Sequence, residues 1–226
     1  MADGSVVKRV IEELRNDILT GVIAPETRLS QVRLAEAYGV SRVPVRDALQ
    51  TLAGEGLLQH STGTTAVVRG ISVEELQELY EIREAVEPIA TRLAVPNVGR
   101  VEVLKMRSLL DLMSSTTEPA VWLPANAEFH GTVYKRAPRP RMIVLVEQLR
   151  KLTDRYLHVH LKEIGNIEHL HEEHMSIYRA VERGDAAQAM ELTRLHLETS
   201  HDFILQYLLE KEVADETDVR PTASTK

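Results

Sequence analysis

Val6, Val7, Val10, Ile11, Leu14 and Ile18 return at intervals of three and four residues, which sets them on one face of an amphipathic helix. Gly21 stops that helix, and Pro25 falls in the loop behind it. Ser30 then stands as N-cap to a short helix ending at Tyr38, with Leu34, Ala35 and Tyr38 as its apolar side. Gly39 suits a left-handed turn after it. Ser41 caps a third helix whose buried stripe is Val45, Ala48, Leu49 and Leu52. Pro44 lies in its first turn, where a missing N–H breaks no intrahelical bond, and Gly56 ends it. Leu57–His60 and Ala66–Arg69 flank Ser61-Thr62-Gly63-Thr64, a pattern for two strands joined at a glycine turn. These elements predict a winged helix-turn-helix.

Beyond residue 70 the pattern changes to long helical stretches with no strand signal. Ser72-Val73-Glu74-Glu75 reads as a capping box opening a helix to about Ala94. Further helices are predicted at about 99–114, 119–136, 139–160, 166–183 and 185–211, with Pro138, Pro140, Gly165 and Gly184-Asp185 between the later ones. Residues 213–226 are polar, lack a stripe, and read as a disordered tail. The predicted fold is therefore mainly α. It comprises a winged helix-turn-helix over residues 1–70, an all-α bundle of six helices over residues 71–212, and the tail.

Composition sharpens that division. The 226 residues carry a net charge of −7, but eight Lys and Arg balance eight Asp and Glu in residues 1–70, so the acidic surplus lies entirely in the helical part. Eight of the nine histidines lie there too. With no cysteine, any metal must be held by nitrogen and oxygen, and a disulfide framework is excluded. The longest apolar runs, such as Met142–Val146, fall far short of the roughly 18 residues of a membrane span. No signal-peptide core opens the sequence, so no membrane association and a cytoplasmic location are expected.

Two sets of polar residues carry chemistry. Arg42 and Arg46 lie one turn apart at the start of the third helix, off its apolar stripe, where free backbone N–H groups also favour phosphate. They read equally as DNA contacts or as solvated charges, one of them paired with Asp47 or Glu36. In the helical part, Asn126 and His130 share a face with Leu123 and Val133. His174 interrupts the stripe Ile167, Leu170, Ile177, Tyr178, Val181, and His196 interrupts Ala189, Thr193, Leu197, Ser200, Phe203, Ile204. One inward histidine is more often a satisfied core residue than a ligand. Three with an amide can converge to a three-nitrogen, one-oxygen metal site with open positions. Arg83 falls within or beside the stripe Leu79, Ile82, Val86, Ile89, Ala90, Leu93; it can meet an effector carboxylate or pair internally with Glu87.

The run Leu34-Ala35-Glu36-Ala37-Tyr38-Gly39-Val40-Ser41-Arg42-Val43-Pro44-Val45-Arg46-Asp47-Ala48-Leu49, with Leu52 and Glu55-Gly56-Leu57-Leu58, closely resembles the winged helix-turn-helix of the GntR transcription regulators. The likeness covers roughly residues 7–69. It implies operator contacts by Ser41, Arg42, Val43, Pro44 and Arg46, and a minor-groove approach by Thr62, Gly63 and Thr64. The wing lacks the arginine or lysine that many relatives carry, and Arg33 offers a substitute phosphate contact. Asn126-Ala127-Glu128-Phe129-His130, His174-Met175-Ser176-Ile177-Tyr178 through Gly184-Asp185-Ala186, and His196-Leu197 resemble the FCD ligand-binding domain of the FadR-like branch.

That resemblance implies a divalent metal on Asn126, His130, His174 and His196. Zinc leads for so nitrogen-rich a set, with nickel and manganese as the other candidates. It also implies a small carboxylate effector beside the metal, with Arg83 lining its pocket. Asn126 departs from the usual aspartate. The function implied is a metabolite-responsive repressor binding palindromic double-stranded operator DNA as a homodimer. The rival from another class is a three-histidine metalloenzyme fused to a DNA-binding domain. Its best lure, His171-Glu172-Glu173-His174, spaces its histidines at i and i+3 where a zincin needs i and i+4.

Overall fold

The computed structural model describes residues 4–60, 65–164 and 168–218. The chain divides into two compact units, Met1–Ile71 and Ser72–Lys226.

In the first unit, α1 (Gly4–Leu19) buries Val10 and Leu14 against α3 (Arg42–Gly54), which contributes Val45, Leu49 and Leu52 to the same core. Between them lies α2 (Gln31–Tyr38). Gly39 takes φ 63° after it, the left-handed conformation that glycine enters without a Cβ penalty. Ser30 and Ser41 occupy the two N-cap positions with extended backbone, although neither hydroxyl closes a capping bond. Arg15 joins α1 to the end of α3 through a two-pronged ion pair with Glu55, Nε to Oε2 at 2.9 Å and NH2 to Oε1 at 2.6 Å.

The hairpin strands are β2 (Leu58–His60) and β3 (Thr65–Val68). A third strand, β1 (Arg28–Ser30), pairs antiparallel with β3 in register Leu29 to Ala66, giving the order β1-β3-β2. Three residues are too few to show the alternation that marks a strand in sequence, so this one goes unforeseen. It buries Leu29 in the core. The wing tip, with Thr62, Gly63 and Thr64, lies outside the described residues.

Among its described residues the regular structure of the second unit is all helical: α4 (Val73–Ala94), a 3-10 turn (Val95–Asn97), α5 (Arg100–Ser114), α6 (Pro119–Tyr134), α7 (Pro140–Ile164), α8 (Glu168–Glu182) and α9 (Ala186–Asp218). Six α-helices are the number expected. The last runs past residue 211, so residues 213–218 are helical where a structureless tail was expected. Once α9 is nucleated, each further Ala, Glu or Asp extends it at small cost without needing a packed face. Residues 219–226 lie outside the described set. No helix among the described residues is long and apolar enough to cross a membrane.

Helix α4 packs along α9, α7 and α6. At its start the Ser72 hydroxyl accepts the Glu75 N–H at 3.2 Å, as the capping pattern predicts. The Glu75 carboxylate is drawn to α7, where it accepts from Arg155 and from Tyr156 Oη (3.1 Å). The same Tyr156 hydroxyl lies 3.2 Å from the Ser72 carbonyl oxygen. The first turn of the second unit is thus tied to the middle of α7.

Candidate functional site

At the start of α3, the helix expected to read DNA, Ser41, Arg42, Val43 and Arg46 are exposed, as is Arg33 on α2. Pro44, in the first turn of the same helix, is buried, so among the described residues expected to contact DNA it is the one whose side chain is not at the surface. Arg46 donates to Asp47 from Nε (3.1 Å) and NH2 (2.9 Å), the pairing foreseen as the alternative to a DNA contact. Both side chains remain over a third exposed, at 56% and 38%. Such a pair is worth only about 0–1 kcal/mol, so a phosphate or guanine edge can take its place.

The other candidate site is buried. Asn126 and His130 lie one turn apart on α6, His174 on α8 and His196 on α9, with exposures of 4, 3, 1 and 7%. Phe129 packs edge-on against the His130 and His174 rings at 5.1 and 5.2 Å, and Trp122 against His174 at 6.0 Å. His130 Nε2 stands 3.1 Å from His174 Nε2. One ring nitrogen from each of the three histidines lies within 4.8 Å of the others.

Burial, reinforced by the positive Arg150 nearby, holds His130 well below the ordinary imidazole range and His196 down to about 3. His174 is likewise held well below, first by burial and then by His196. At neutral pH all three rings therefore keep a nitrogen lone pair. His196 directs Nδ1 at Glu173 Oε2, 2.6 Å away, the carboxylate–imidazole arrangement that fixes a tautomer and leaves Nε2 as the ligand atom. Asn126 Oδ1 is buried and has no hydrogen-bond partner. Three converging neutral imidazoles, with a buried orphan carbonyl one helical turn from His130, suit a borderline divalent ion, so the residues present fit a metal.

Around these donors runs a polar network that sequence reasoning found only in part. Arg83 Nε donates to Glu87 Oε1 at 2.6 Å and its NH1 to Thr153 Oγ1 at 3.1 Å, while its guanidinium covers the Tyr80 ring. The internal pair left open by the sequence is therefore formed. Glu87 Oε2 also accepts from Tyr134 Oη (2.7 Å) and Arg150 NH1 (3.2 Å). Burial opposes the charge on Glu87, but the two guanidinium groups outweigh it and keep the carboxyl ionised. Arg150, Tyr134, Thr153 and Glu173 were missed. Arg150 had a readable signal: it stands four residues after buried Val146 and three before buried Thr153, a charge inside an apolar stripe, as Arg83 does.

A cleft of about 230 Å³ lined by Glu172, Glu173, Ser176, Leu192, Leu195 and His196 reaches the edge of the centre. Glu173 thus supports His196 rather than serving a zincin motif. His171 stays outside the histidine group.

The comparisons with known proteins agree with this architecture. Residues 6–68 match the model for bacterial regulatory proteins of the gntR family, and residues 78–199 match the FCD domain. The chain is 26% identical over 222 residues to the HTH-type transcriptional regulator BphR of Paraburkholderia xenovorans (strain LB400), covering 90% of this chain and 86% of that one. It is 27% identical over 204 residues to the HTH-type transcriptional repressor GlaR of Escherichia coli (strain K12), covering 85 and 93%. Among solved structures, the E. coli McbR/YncC structure superposes with a TM-score of 0.74 at 22% identity, covering 92% of this chain and 100% of that one. A GntR regulator from Rhodococcus sp. RHA1 gives 0.71 at 25%, covering 89 and 98%. Domains and relatives alike are those of regulators, which sets the metalloenzyme reading aside. The chain belongs to the GntR family of DNA-binding transcriptional regulators, in the branch whose second domain is an FCD domain.

Proposed function

We propose that this regulator is a metabolite-responsive repressor. It binds a palindromic operator as a homodimer and is released when a small carboxylate reaches the histidine centre of its FCD domain. The convergence of His130, His174 and His196 on one buried point, with the buried orphan carbonyl of Asn126 one turn from His130 on α6, carries the reading. A helical domain with a purely structural role would have no use for such a cluster, since buried polar groups cost free energy unless they are paired.

The DNA side follows from Arg42 and Arg46, which reach outward from the start of α3 and can each grip a guanine edge with two parallel hydrogen bonds. Arg33 adds a phosphate contact, and Ser41 presents its hydroxyl at the helix start. One such helix reads one half-site, so a two-fold operator calls for two copies. Exposed Ile82 and Ile89 on α4 and Val144 and Leu145 on α7 offer an apolar surface for that pairing, flanking the place where Val86 packs near Met142 and Val146.

On the effector side, the three imidazoles and Asn126 would hold a divalent metal, zinc first, which when bound supplies a cationic docking point for a carboxylate. The protein's own part is to keep the imidazoles neutral, orient His196 through Glu173, and surround the place with Phe129 and Trp122 so that water is kept out.

Selection of bound sequences from random duplexes tests the DNA side: it should return an inverted repeat with half-sites about 10 base pairs apart centre to centre, or a multiple of that. A panel of small carboxylates added to that complex should contain at least one that releases it, and only from metal-loaded protein. Sequences without two-fold symmetry, or a complex indifferent to every acid, would overturn the reading.

A further inference from the structure

Of the four residues assigned to the histidine centre, three are walled in. Asn126, His130 and His174 are 4, 3 and 1% exposed, and Phe129, Trp122 and the Tyr134 ring pack around the two histidines. An ion has to cross that wall, because a close-packed interior leaves no channel by default. His196 is where the wall is thinnest. At 7% it is the most exposed of the four, and it lines the cleft between α8 and α9.

The chemistry of that cleft suits a hydrated cation. Its 230 Å³ or so matches the liquid volume of roughly seven waters at about 30 Å³ each, enough for an ion with most of its hydration shell. Glu172 and Glu173 bring two carboxylates and Ser176 a hydroxyl, Leu192 and Leu195 form apolar walls, and no lining residue is a lysine or arginine. Arg194, next to Leu195 in the chain, is held by Glu191 and Glu198, two acids that do not line the cleft. A cleft with one sign of charge and low-dielectric walls focuses the field and concentrates the opposite ion.

His196 also has the means to move. Its Nδ1 is anchored on Glu173 Oε2 at 2.6 Å, and that carboxylate is itself on the cleft wall and 25% exposed. Its remaining neighbours are rings, His130 nearly parallel at 5.2 Å and His174 tilted at 4.6 Å. Turning the imidazole outward costs that anchor, and the cleft has room to receive the ring.

We propose that the α8–α9 cleft is the passage by which a divalent ion reaches the histidine centre, with Glu172 gathering it at the mouth and His196 as the ligand that swings aside and closes last. This rests on the metal reading above and concerns the path, whereas that reading concerns the site. Glu173 is the positioning residue of the gate. While it holds Nδ1 the ring faces inward, and when it turns to the incoming ion the ring is released. The passage sets the rate of loading and leaves affinity to the ligands. An anionic acid does not share it, since two carboxylates repel it at the mouth.

The test uses full-length protein stripped of metal, and Zn²⁺ alone. Rapid mixing follows zinc uptake, and zinc loss to an excess of chromophoric chelator, with the equilibrium constant measured separately. Ser176→Phe and Leu195→Phe each add a ring to the cleft from a position that is not a ligand; Leu195 is 44% exposed, so at least that variant leaves the core intact. A higher barrier between unchanged end states slows both directions by the same factor, about tenfold or more, with affinity within about twofold of wild type. Glu172→Gln should slow uptake by about three- to tenfold at low salt and by less at high salt, where the gathering charge is screened. Glu172→Asp keeps the charge and should keep the rate.

Wild-type rates of uptake and release in both narrowed variants overturn the passage. So does a change in affinity carried by release alone, which would make these residues supports of the site and not walls of a path. If the wild type takes up no zinc at all, the metal reading fails and the passage falls with it.

Discussion

One half of the chain carries its charged chemistry in solvent, and the other keeps it buried. In the DNA-reading unit, Arg33, Arg42 and Arg46 stand in water, and the fold beneath them is a small apolar core that does not need them. In the FCD unit the charged residues Arg83, Glu87 and Arg150 lie inside, at exposures of 3, 0 and 7%, together with the histidines. The lesson concerns what each charge is attached to. An exposed charge acts on a partner and leaves folding nearly indifferent to it. A buried one is bound into folding and function together, because desolvation makes every missing partner costly.

Glu87→Gln should break the second half of that contrast most sharply. It removes the carboxylate shared by two buried guanidinium groups, and a destabilisation of about 3–5 kcal/mol is expected in chemical denaturation. A loss under about 1 kcal/mol would mean that water or a rearrangement satisfies the arginines, and the contrast would be false.

Next in size, Arg42→Ala and Arg46→Ala should each weaken operator binding by about 1–3 kcal/mol at fixed salt. Thermal melts should show folding stability within about 0.5 kcal/mol of wild type. A mutant that binds DNA normally would remove its side chain from the interface.

Glu173→Gln sharpens the comparison inside the buried half. Zinc affinity should fall by about 10- to 100-fold as His196 loses its orienting carboxylate, whereas DNA affinity of the metal-free protein should not move. Unchanged zinc affinity would show that packing alone holds the ring.

The smallest effect belongs to Asp47→Asn. Losing the exposed pair with Arg46 should change stability by less than about 0.5 kcal/mol while freeing the guanidinium for DNA, so a slight gain in affinity is expected from gel shifts. A clear loss of affinity would place Asp47 itself at the interface.

How much of this was legible in sequence divides along the same line. Helix starts and stops in both units were readable because Ser30, Ser41, Ser72, Gly39 and Gly184 act within a few residues of themselves. The histidine trio was readable as well, since each ring breaks an apolar stripe on its own helix. Partners across the fold were not. Glu75 fits a local cap, but its carboxylate is claimed by Arg155 and Tyr156, some 80 residues on. Tyr134 and Thr153 look like ordinary members of a buried face until Glu87 and Arg83 are placed opposite them. The burial of Pro44 was not legible, because a place in the first turn of α3 says nothing of which way the ring points. Strand β1 was invisible for want of length, and the last turns of α9 for want of a stripe.

Helix α7 has two grips on α4, and their spacing has a mechanical meaning. Arg150 and Thr153 hold Glu87 and Arg83 beside the histidine centre, while Arg155 and Tyr156 hold Glu75 and Ser72, where the second unit begins. From Arg150 to Tyr156 is about 9 Å of one helix at 1.5 Å per residue. Over so short a length an α-helix is effectively a stiff shaft. The two grips therefore cannot shift independently along α7, and a displacement of Glu87 on α4 is resisted at Glu75 as well.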